Sequence, residues 1–345
     1  MENSSTKNNE VSISLAIPAY NRVSELKELL TSVLSGEVIP AEIIICEDNS
    51  PKRAEIRELV QSYIAKFMDQ GCRINYIENS NNLGYDGNVR KLLREASQKW
   101  VMLIGNDDVV LRECFEVVSN YIQSNPKVNL ISRSFIRFSE NIDSPLGVSC
   151  IAKNDTVFII GAYKPRMIFR SCGFVGGLIV NASWAKEFDT NKYDGSLFYQ
   201  IYLAAQAFCE GGIGYISKPI VGGRTGNVPL FGTAQTEKSV HLPGSYTPKG
   251  RAKMWQSVLE ICHDVGTSKG IDLVSDIKRE LMVRQSFHVF EMMVGTEKTA
   301  LNELRIELRK LKIYSHPVPV TLYWLVRILG RHARYCFDLI RKIMQ

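Results

Sequence analysis

The stretch Trp100–Asp108 reads WVMLIGNDD, in which five apolar residues run directly into a glycine, an asparagine and two aspartates. A short apolar run that ends in a polar turn is typical of a buried strand. In open α/β sheets, ligands bind outside the carboxyl ends of the strands. The stretch therefore predicts a core strand and one corner of a binding site.

Three units of the same kind precede this stretch. Strands are predicted at 12–17, 42–46 and 73–77, and they are followed by helices at 24–34, 53–68 and 88–96, with Ser24 as the cap of the first helix. The first two strands also end in polar loops, at 18–22 and 47–50. This alternation predicts an α/β fold with a mainly parallel sheet and helices on both faces.

The remainder of the chain divides at about residue 250. From 126 to 250 the pattern is mixed, with strands expected at 130–138, 156–160, 174–181 and 213–217, helices at 164–170 and 197–208, and loops at 222–232 and 243–250. Beyond that point only helices are expected, at 251–265, 271–293, 297–311 and 320–343. We expect a disordered tail at 1–10, an α/β domain at 11–250 whose halves are 11–125 and 126–250, and a helical region at 251–345.

Composition restricts the classes of protein to which the chain can belong. The formal net charge is +6, which alone selects no partner, and the eight cysteines form no CxxC pair. Free thiols in a cytoplasmic protein are the expectation that follows. No stretch has the ~18 or more uninterrupted apolar residues that a membrane-spanning helix needs, and residues 1–10 lack the apolar segment of a secretory signal.

The acidic strand ends allow two interpretations each. Asp107 and Asp108 are hard oxygen ligands that suit Mg²⁺ or Mn²⁺, but the same residues also favour a turn and the start of a helix near Arg112. Glu47 and Asp48 suit hydrogen bonds to a base or ribose, and they equally suit an Asx turn before a helix. Neither motif decides the question alone.

Taken in order, however, the motifs resemble those of a known family. Residues 17–22 (IPAYNR), 47–50 (EDNS), 82–84 (NLG) with Asn88, and 106–108 (NDD) are similar to the motif series of family 2 glycosyltransferases with the GT-A (Rossmann-like) fold. The nearest resemblance is to the bacterial surface-polysaccharide subgroup that includes the abequosyltransferases of O-antigen synthesis. These motifs cover about residues 11–125.

The resemblance implies a role for each matching residue. Asp48 is expected to bind the base, Asp108 to bind Mg²⁺ or Mn²⁺, and Asp107 and Glu47 to stand beside them. The other residues expected to bind a nucleotide-sugar donor are Pro18, Tyr20, Arg22, Asn82, Gly84, Asn88 and Asn106. Asn106 stands where the family usually has aspartate, so the predicted metal site lacks one negative charge.

The family inverts the anomeric centre, which implies an in-line attack by an acceptor hydroxyl that a carboxylate base deprotonates. The Glu-Asp pair that supplies this base in many members is absent from the expected place. Asp194, before the helix predicted at 197–208, is the nearest candidate, and Asp189 and Glu210 are its rivals. The alternative for Asp194 is a turn or a helix cap.

The last predicted helix is amphipathic and basic. Its apolar stripe consists of Leu322, Leu325, Val326, Leu329, Ala333, Cys336, Ile340 and Ile343, and its basic residues are Arg327, Arg331, Arg334, Arg341 and Lys342. Such a helix suits docking on the inner face of the cell membrane, where a lipid-linked glycan acceptor would be held. The alternative is packing on the preceding helices or in a homo-oligomer interface.

Two other functions remain open from the residues. A sugar nucleotidyltransferase also uses carboxylates and Mg²⁺, but residues 18–22 stand where its Gly-rich phosphate loop is expected. A non-catalytic carbohydrate- or lipid-binding homologue is compatible with Asn106 and the missing Glu-Asp pair. No GxGxxG motif follows the first strand, and nucleic-acid binding has no support beyond net charge.

Overall fold

The first half of the sheet is built as the sequence predicts. The computed structural model describes residues 12–344, so the tail expected at 1–10 lies outside the described residues. Four parallel strands pair in the order β3-β2-β1-β4. They are β1 (Ile13–Ala19), β2 (Glu42–Glu47), β3 (Arg73–Glu78) and β4 (Trp100–Leu103).

Both faces of β1, β2 and β4 are buried, which explains their apolar runs, whereas β3 at the edge of the sheet is only partly buried. Ile43 and Ile45 pack into the core on one side of the sheet, whereas Ile44 and Cys46 pack into the core on the other side. The helices that cover the two faces are α1 (Val23–Leu34), α2 (Arg53–Met68), α3 (Gly84–Glu95) and α4 (Cys114–Ser124). Ser24 lies within α1, whose N-cap is Arg22, so the prediction of Ser24 as the cap is wrong.

The second half of the sheet changes direction. Strand β9 (Leu178–Asn181) lies between β4 and β6 (Leu130–Phe138) and is antiparallel to both. Strand β10 (Ile213–Arg224) is parallel to β6, with an irregularity between Ile216 and Val221. The short strands β5 (Val109–Val110), β7 (Gly147–Ser149) and β8 (Thr156–Phe158) complete the mixed sheet at its margins.

Strand β10 is longer than the sequence predicts. The prediction ended it at residue 217 and began a loop at 222, but the strand resumes after its irregularity and continues to Arg224. The helices on this side are α5 (Arg166–Cys172), α6 (Ala182–Glu187) and α7 (Tyr199–Glu210). Of these, α6 was not predicted.

The chain from residue 248 to 344 is helical. Its helices are α8 (Pro248–Lys269), α9 (Val274–Glu280), a π-helical segment (Leu281–Gln285), α10 (Ser286–Met292), α11 (Lys298–Lys310), α12 (Pro317–Leu329), a 3₁₀ segment (Gly330–His332) and α13 (Ala333–Met344). Helix α8 has Pro248 in its first turn, and the Thr247 side chain accepts a hydrogen bond from Gly250 N at 3.0 Å. It ends at Gly270, whose φ of 68° suits glycine.

The predicted last helix is two helices, because Gly330 (φ 53°, ψ −124°) ends α12. The stripe predicted to face a membrane instead packs largely inward: Leu322, Val326 and Ala333 are buried in the helical core. Leu325 and Ile340 pack against the same core, and the side chains of Lys342 and Ile343 lie outside the described residues. Within residues 12–344, no helix is long and apolar enough to cross a bilayer.

Candidate active site

A cleft of about 770 Å³ opens where β1, β2 and β4 end. The structure brings ten of the residues predicted from the sequence to its lining: Pro18, Tyr20, Arg22, Asp48, Asn82, Gly84, Asn88, Asn106, Asp107 and Asp108. Glu47 and Asp194 are not among the lining residues. The strand ends thus converge as the parallel sheet requires.

Asp48 lies at the bottom of the cleft and is 4% exposed. Its carboxylate accepts hydrogen bonds from Leu83 N at 2.8 Å, from Gly84 N at 3.0 Å and from Asn79 Nδ2 at 2.8 Å. Burial raises the pKa of Asp48 to about 6, although these three donors act in the opposite direction. Asp48 therefore fixes the start of α3 against the end of β2.

Glu47 lies behind the cleft and is fully buried. It accepts hydrogen bonds from Ser50 N at 2.8 Å and Asn49 N at 3.1 Å, and it pairs with Arg53 at 2.7 Å. This carboxylate organises the loop that carries Asp48 and anchors the start of α2. Its contacts correspond to the turn interpretation of residues 47–50.

The segment before α3 lies over Asp48. Asn82 accepts a hydrogen bond from Gly84 N at 2.9 Å and donates one to Thr233 Oγ1 at 2.9 Å. Gly84 has a φ of 76°, and a Cβ there would lie 2.6 Å from Glu237 Oε1, so the position requires glycine. Asn88 is buried and donates to Cys46 O at 3.1 Å, which ties α3 to β2.

Asp107 and Arg22 form an ion pair at the mouth of the cleft. The distance from Arg22 Nη1 to Asp107 Oδ2 is 2.7 Å, and Asn227 Nδ2 donates to the same oxygen at 2.8 Å. Asn106 is buried and reaches Tyr20 O at 3.4 Å. The loops after β1 and β4 are therefore held together directly.

Among the carboxylates that line the cleft, Asp108 is the one whose pKa is raised furthest. It is 3% exposed, and burial, followed by the charge of Asp107, raises its pKa to about 8. One carboxylate oxygen accepts from Arg224 N at 3.0 Å. The other approaches backbone so closely that a Cβ at Gly176 would lie 2.3 Å from it.

Arg224, the last residue of β10, lines the cleft next to Asp107 and Asp108. Its guanidinium lies 4.5 Å from the Phe138 ring, donates to Asp107 O at 2.9 Å and pairs with Glu28. Only 8% of the side chain is exposed. Arg224 therefore supports the loop of Asp107 and Asp108 from behind.

Asp194 faces a second, shallower hollow on the other side of α3. Its two carboxylate oxygens pair with Arg90, at 3.0 Å from Nε and 2.5 Å from Nη2. The rivals are also paired, Asp189 with Arg90 and Arg94, and Glu210 with Lys269 at 2.9 Å. The structure gives no support to any of the three as a base in the main cleft.

Several cleft residues were missed by sequence reasoning. Glu237 is buried and accepts from Tyr85 N at 2.8 Å and Gly232 N at 2.7 Å. Gln200, at the start of α7, accepts from Tyr85 Oη at 3.0 Å. The bond from Glu237 to Tyr85 joins residues 152 positions apart, and no local pattern signals such a contact.

Asp107 and Asp108 suit a metal ion that takes most of its ligands from phosphate and water. Within the described residues, no group of three or more His, Cys, Asp and Glu side chains is arranged to hold a metal ion. Asp108 and Asp107 are adjacent, and the pKa of Asp108 is raised first by burial and then by the charge of Asp107, which a cation would offset. Mg²⁺ commonly binds one or two carboxylates together with phosphates and water, so the donor set is sufficient.

Comparison with known proteins is consistent with this architecture. Residues 14–174 match the family described as Glycosyl transferase family 2. The chain is similar to Abequosyltransferase RfbV of Salmonella typhimurium, with 26% identity over 222 residues that are 61% of this chain and 65% of that protein. It is also similar to an uncharacterized glycosyltransferase of Haemophilus influenzae, with 29% identity over 34% of this chain and 37% of the relative. The chain thus spans less than two thirds of the length of these relatives.

Two solved structures share the fold at low sequence identity. S. aureus TarS 1-349, solved in complex with UDP-GlcNAc, superposes with a TM-score of 0.60 at 14% identity over 94% of this chain and 89% of that chain. The mannosyltransferase PcManGT of Pyrobaculum calidifontis, solved with GDP-Man and Mn²⁺, gives a TM-score of 0.52 at 11% identity over 96% and 86% of the two chains. The predicted fold class, a GT-A-like sheet flanked by helices with a helical C-terminal region, is confirmed.

Proposed function

We propose that this chain, which contains a family 2 glycosyltransferase domain, transfers a sugar from a nucleotide-sugar donor to a hydroxyl group of a glycan acceptor with inversion. The observation that carries the proposal is the convergence of ten motif residues on one cleft at the strand ends. The motif residues are spread along the sequence from Pro18 to Asp108, and the fold brings them together in the cleft.

The donor would occupy the side of the cleft formed by the strand ends. Asp48, held by three donors, is rigid enough to orient a base, and Gly84 lies beside it in the lining of the cleft. Asp108, with Asp107 beside it, would hold Mg²⁺ or Mn²⁺. When bound, the cation neutralises negative charge on the departing nucleotide diphosphate.

The structure favours no carboxylate in the cleft as the general base. Asp48 and Glu237 accept backbone hydrogen bonds, Asp107 pairs with Arg22, and Asp108 is buried. This arrangement keeps the non-catalytic alternative as a second candidate. Turnover of a nucleotide sugar to nucleoside diphosphate, followed with and without a glycan acceptor, separates the two.

A thermal-shift screen with UDP-, GDP-, CDP- and dTDP-sugars, with and without Mn²⁺, tests donor binding. A ligand that binds only the folded chain raises the melting temperature. A free ligand concentration of 100 times its Kd raises the free energy of unfolding by about 2.7 kcal/mol. We expect one nucleotide class to stabilise the protein more strongly with Mn²⁺. Asp108→Ala should lose this stabilisation, whereas Asp69→Ala, an exposed residue beyond the end of α2, should keep it. No shift with any nucleotide would contradict the proposal.

We further propose that the acceptor is lipid-linked, as in surface-polysaccharide synthesis, and that the end of the chain contacts an anionic membrane surface in the cytoplasm. The support is a set of exposed apolar side chains, of which only Leu329 belongs to the predicted stripe. Five of its side chains are exposed by 38–76%: Trp324, Ile328, Leu329, Tyr335 and Leu339. Arg331 and Arg334 are exposed among them, which is the combination that interfacial helices use.

A further inference from the structure

The helical region contributes one side of the cleft, which the family motifs do not include. Helix α8 supplies Arg251 and Met254, the π-helical segment supplies Arg284 and Gln285, and α10 supplies His288. We call Arg251, Arg284 and His288 the basic wall. Since these residues follow residue 250, they lie outside the segment that matches the family.

The positive charge of the basic wall has no counter-ion within the described residues. Arg251 lies 4.1 Å from the Tyr246 ring and contacts Met292 Sδ at 3.5 Å, but forms no ion pair there. Arg284 likewise forms no ion pair within residues 12–341. A ligand in the cleft therefore meets two guanidinium groups whose charge the surrounding protein leaves uncompensated.

The neighbouring Arg170 shows that this lack of counter-ions is particular to the basic wall. Arg170 also lines the cleft, but Glu280 accepts its Nε at 2.9 Å and its Nη2 at 2.7 Å. Gln285 donates to the other oxygen of Glu280 at 3.2 Å. Glu280 is thereby occupied and leaves Arg251 and Arg284 without a partner.

The backbone that carries Arg284 is also unusual. Residues Leu281–Gln285 are π-helical, and Ser286 N–H bonds to Leu281 O with the wide spacing of that helix. The Ser286 side chain donates to the same carbonyl at 2.9 Å. π-Helical turns inside α-helices occur frequently at functional sites. Here the widened turn bears two of the cleft residues.

His288 stands in mostly cationic surroundings. Burial lowers its pKa, and Arg284, Arg341 and Arg137 act in the same direction, while Glu291 opposes them. One ring nitrogen of the imidazole can donate a hydrogen bond whether the ring is neutral or charged. The basic wall thus offers two guanidinium groups and one imidazole donor.

We propose that the basic wall binds a phosphate group carried by the acceptor. This inference rests on the proposed function, since it assigns the chemical class of the acceptor to the same cleft. The strand-end side already has Asp48, Asp107 and Asp108, whereas the basic wall comes from other elements. Guanidinium groups bind phosphate through paired, charge-assisted hydrogen bonds, which suits a phosphate-linked glycan.

The first arm of the test uses inorganic pyrophosphate as the probe, measured by titration calorimetry in metal-free buffer. Without a cation, the strand-end carboxylates repel the probe, so binding reports on the basic wall. We expect Arg251→Gln/Arg284→Gln to weaken binding by about tenfold or more. Arg279→Gln, which removes one positive charge from exposed α9, should bind as the unmodified protein does.

The second arm measures nucleoside diphosphate binding with Mn²⁺ in the same variants, and we expect no change. Loss of both ligands to the same extent would assign the basic wall to the donor and overturn the proposal. Pyrophosphate binding that is absent from the unmodified protein, or equal in the unmodified protein and the double variant, would also overturn the proposal. Equal melting temperatures of the double variant and the unmodified protein, measured without ligand, exclude misfolding as the cause of any loss. Failure of the proposed function is distinguishable, because it appears as absent nucleotide binding in every variant.

Discussion

At the scale of single residues, the site depends on glycines, which have no side chain, as well as on its polar side chains. Gly176 and Gly105 both face Asp108, where an added Cβ would lie 2.3 Å and 2.9 Å from Oδ2. Real Cβ atoms do not approach a carboxylate oxygen so closely, so either the carboxylate or the backbone would have to move. In the sequence, Gly176 is only the first of two adjacent glycines, and nothing there says which side chain approaches it.

We therefore predict that Gly176→Ala displaces Asp108 and abolishes the Mn²⁺-dependent part of nucleotide stabilisation. The matched control is Gly211→Ala after α7, where the new Cβ meets Lys127 O at a more tolerable 3.2 Å. Thermal shift with and without Mn²⁺ reads both variants. Equal Mn²⁺ responses in the two would show that Asp108 tolerates the added methyl group.

Asp86 gives a second prediction, on pH dependence. Burial raises its pKa from 3.8 to about 7, although Leu197 N and Tyr199 N both donate to it. Between these values the folded chain binds the proton that the unfolded chain releases. Its contribution to stability is therefore present at low pH and is lost as pH rises towards 7, with a slope of at most about 1.4 kcal/mol per unit.

Asp86→Asn removes this titration. The free energy of unfolding of the variant minus that of the unmodified protein should rise from pH 5 to 7 and level off above, as measured by urea unfolding. A difference that does not change with pH would contradict the assignment of Asp86 as the titrating group.

At the scale of elements, the structure changes the interpretation of Asp194. The residue precedes α7 and pairs with Arg90 of α3, so it joins two helices, and the pair is mostly buried (10% and 17% side-chain exposure). Breaking such a pair leaves Arg90 with Asp189 alone. Asp194 is therefore a structural link between α3 and α7, on the opposite side of α3 from the cleft.

We predict that Asp194→Asn lowers the free energy of unfolding by about 1–3 kcal/mol and leaves transfer nearly unchanged below its melting temperature. Asp143→Asn, in an exposed turn, serves as the control and should change neither. Loss of transfer with normal stability and normal donor binding would instead restore Asp194 as the general base.

The same scale explains which elements the sequence predicts. Strands β1, β2 and β4 are each a mostly apolar run that ends in a polar loop, β3 has Asn75 among its apolar residues, and the helices follow at regular spacing. Strand β9 has a comparable run, but its direction is set by pairing with two distant strands, which no local pattern contains. Likewise, the apolar periodicity continues across Gly330, so only the backbone angles of that residue reveal the break between α12 and α13.

At the scale of the whole molecule, the strand-end side of the site was predictable and the opposite side was not. Parallel strands must present their carboxyl ends at one edge of the sheet, so four short motifs sufficed to predict the strand-end side of the site. Glu237 and the basic wall reach the cleft through the packing of loops and helices that follow the sheet. Their sequence neighbourhoods resemble ordinary surface segments.

Membrane contact is a property of the whole molecule that two sets of substitutions test. Trp324→Ala/Ile328→Ala should weaken binding to vesicles of mixed neutral and anionic lipid. Arg331→Gln/Arg334→Gln should weaken it by about tenfold or more at low salt, since each basic residue near an anionic surface contributes about 1 kcal/mol. Met68→Ala, an equally exposed apolar residue on α2, is the control in a sedimentation assay. Equal binding of all variants would rule out this surface.

The position of β9 also limits how chains of this fold can be recombined. A chimera that joins the first 125 residues of this chain to the remainder of another would place a foreign strand between its own β4 and the new β6. The apolar side chains of β9 would then have to pack against core residues from two different proteins at once. Exchange of specificity between relatives should therefore succeed more readily in loops and in the helical region than by grafting whole halves of the sheet.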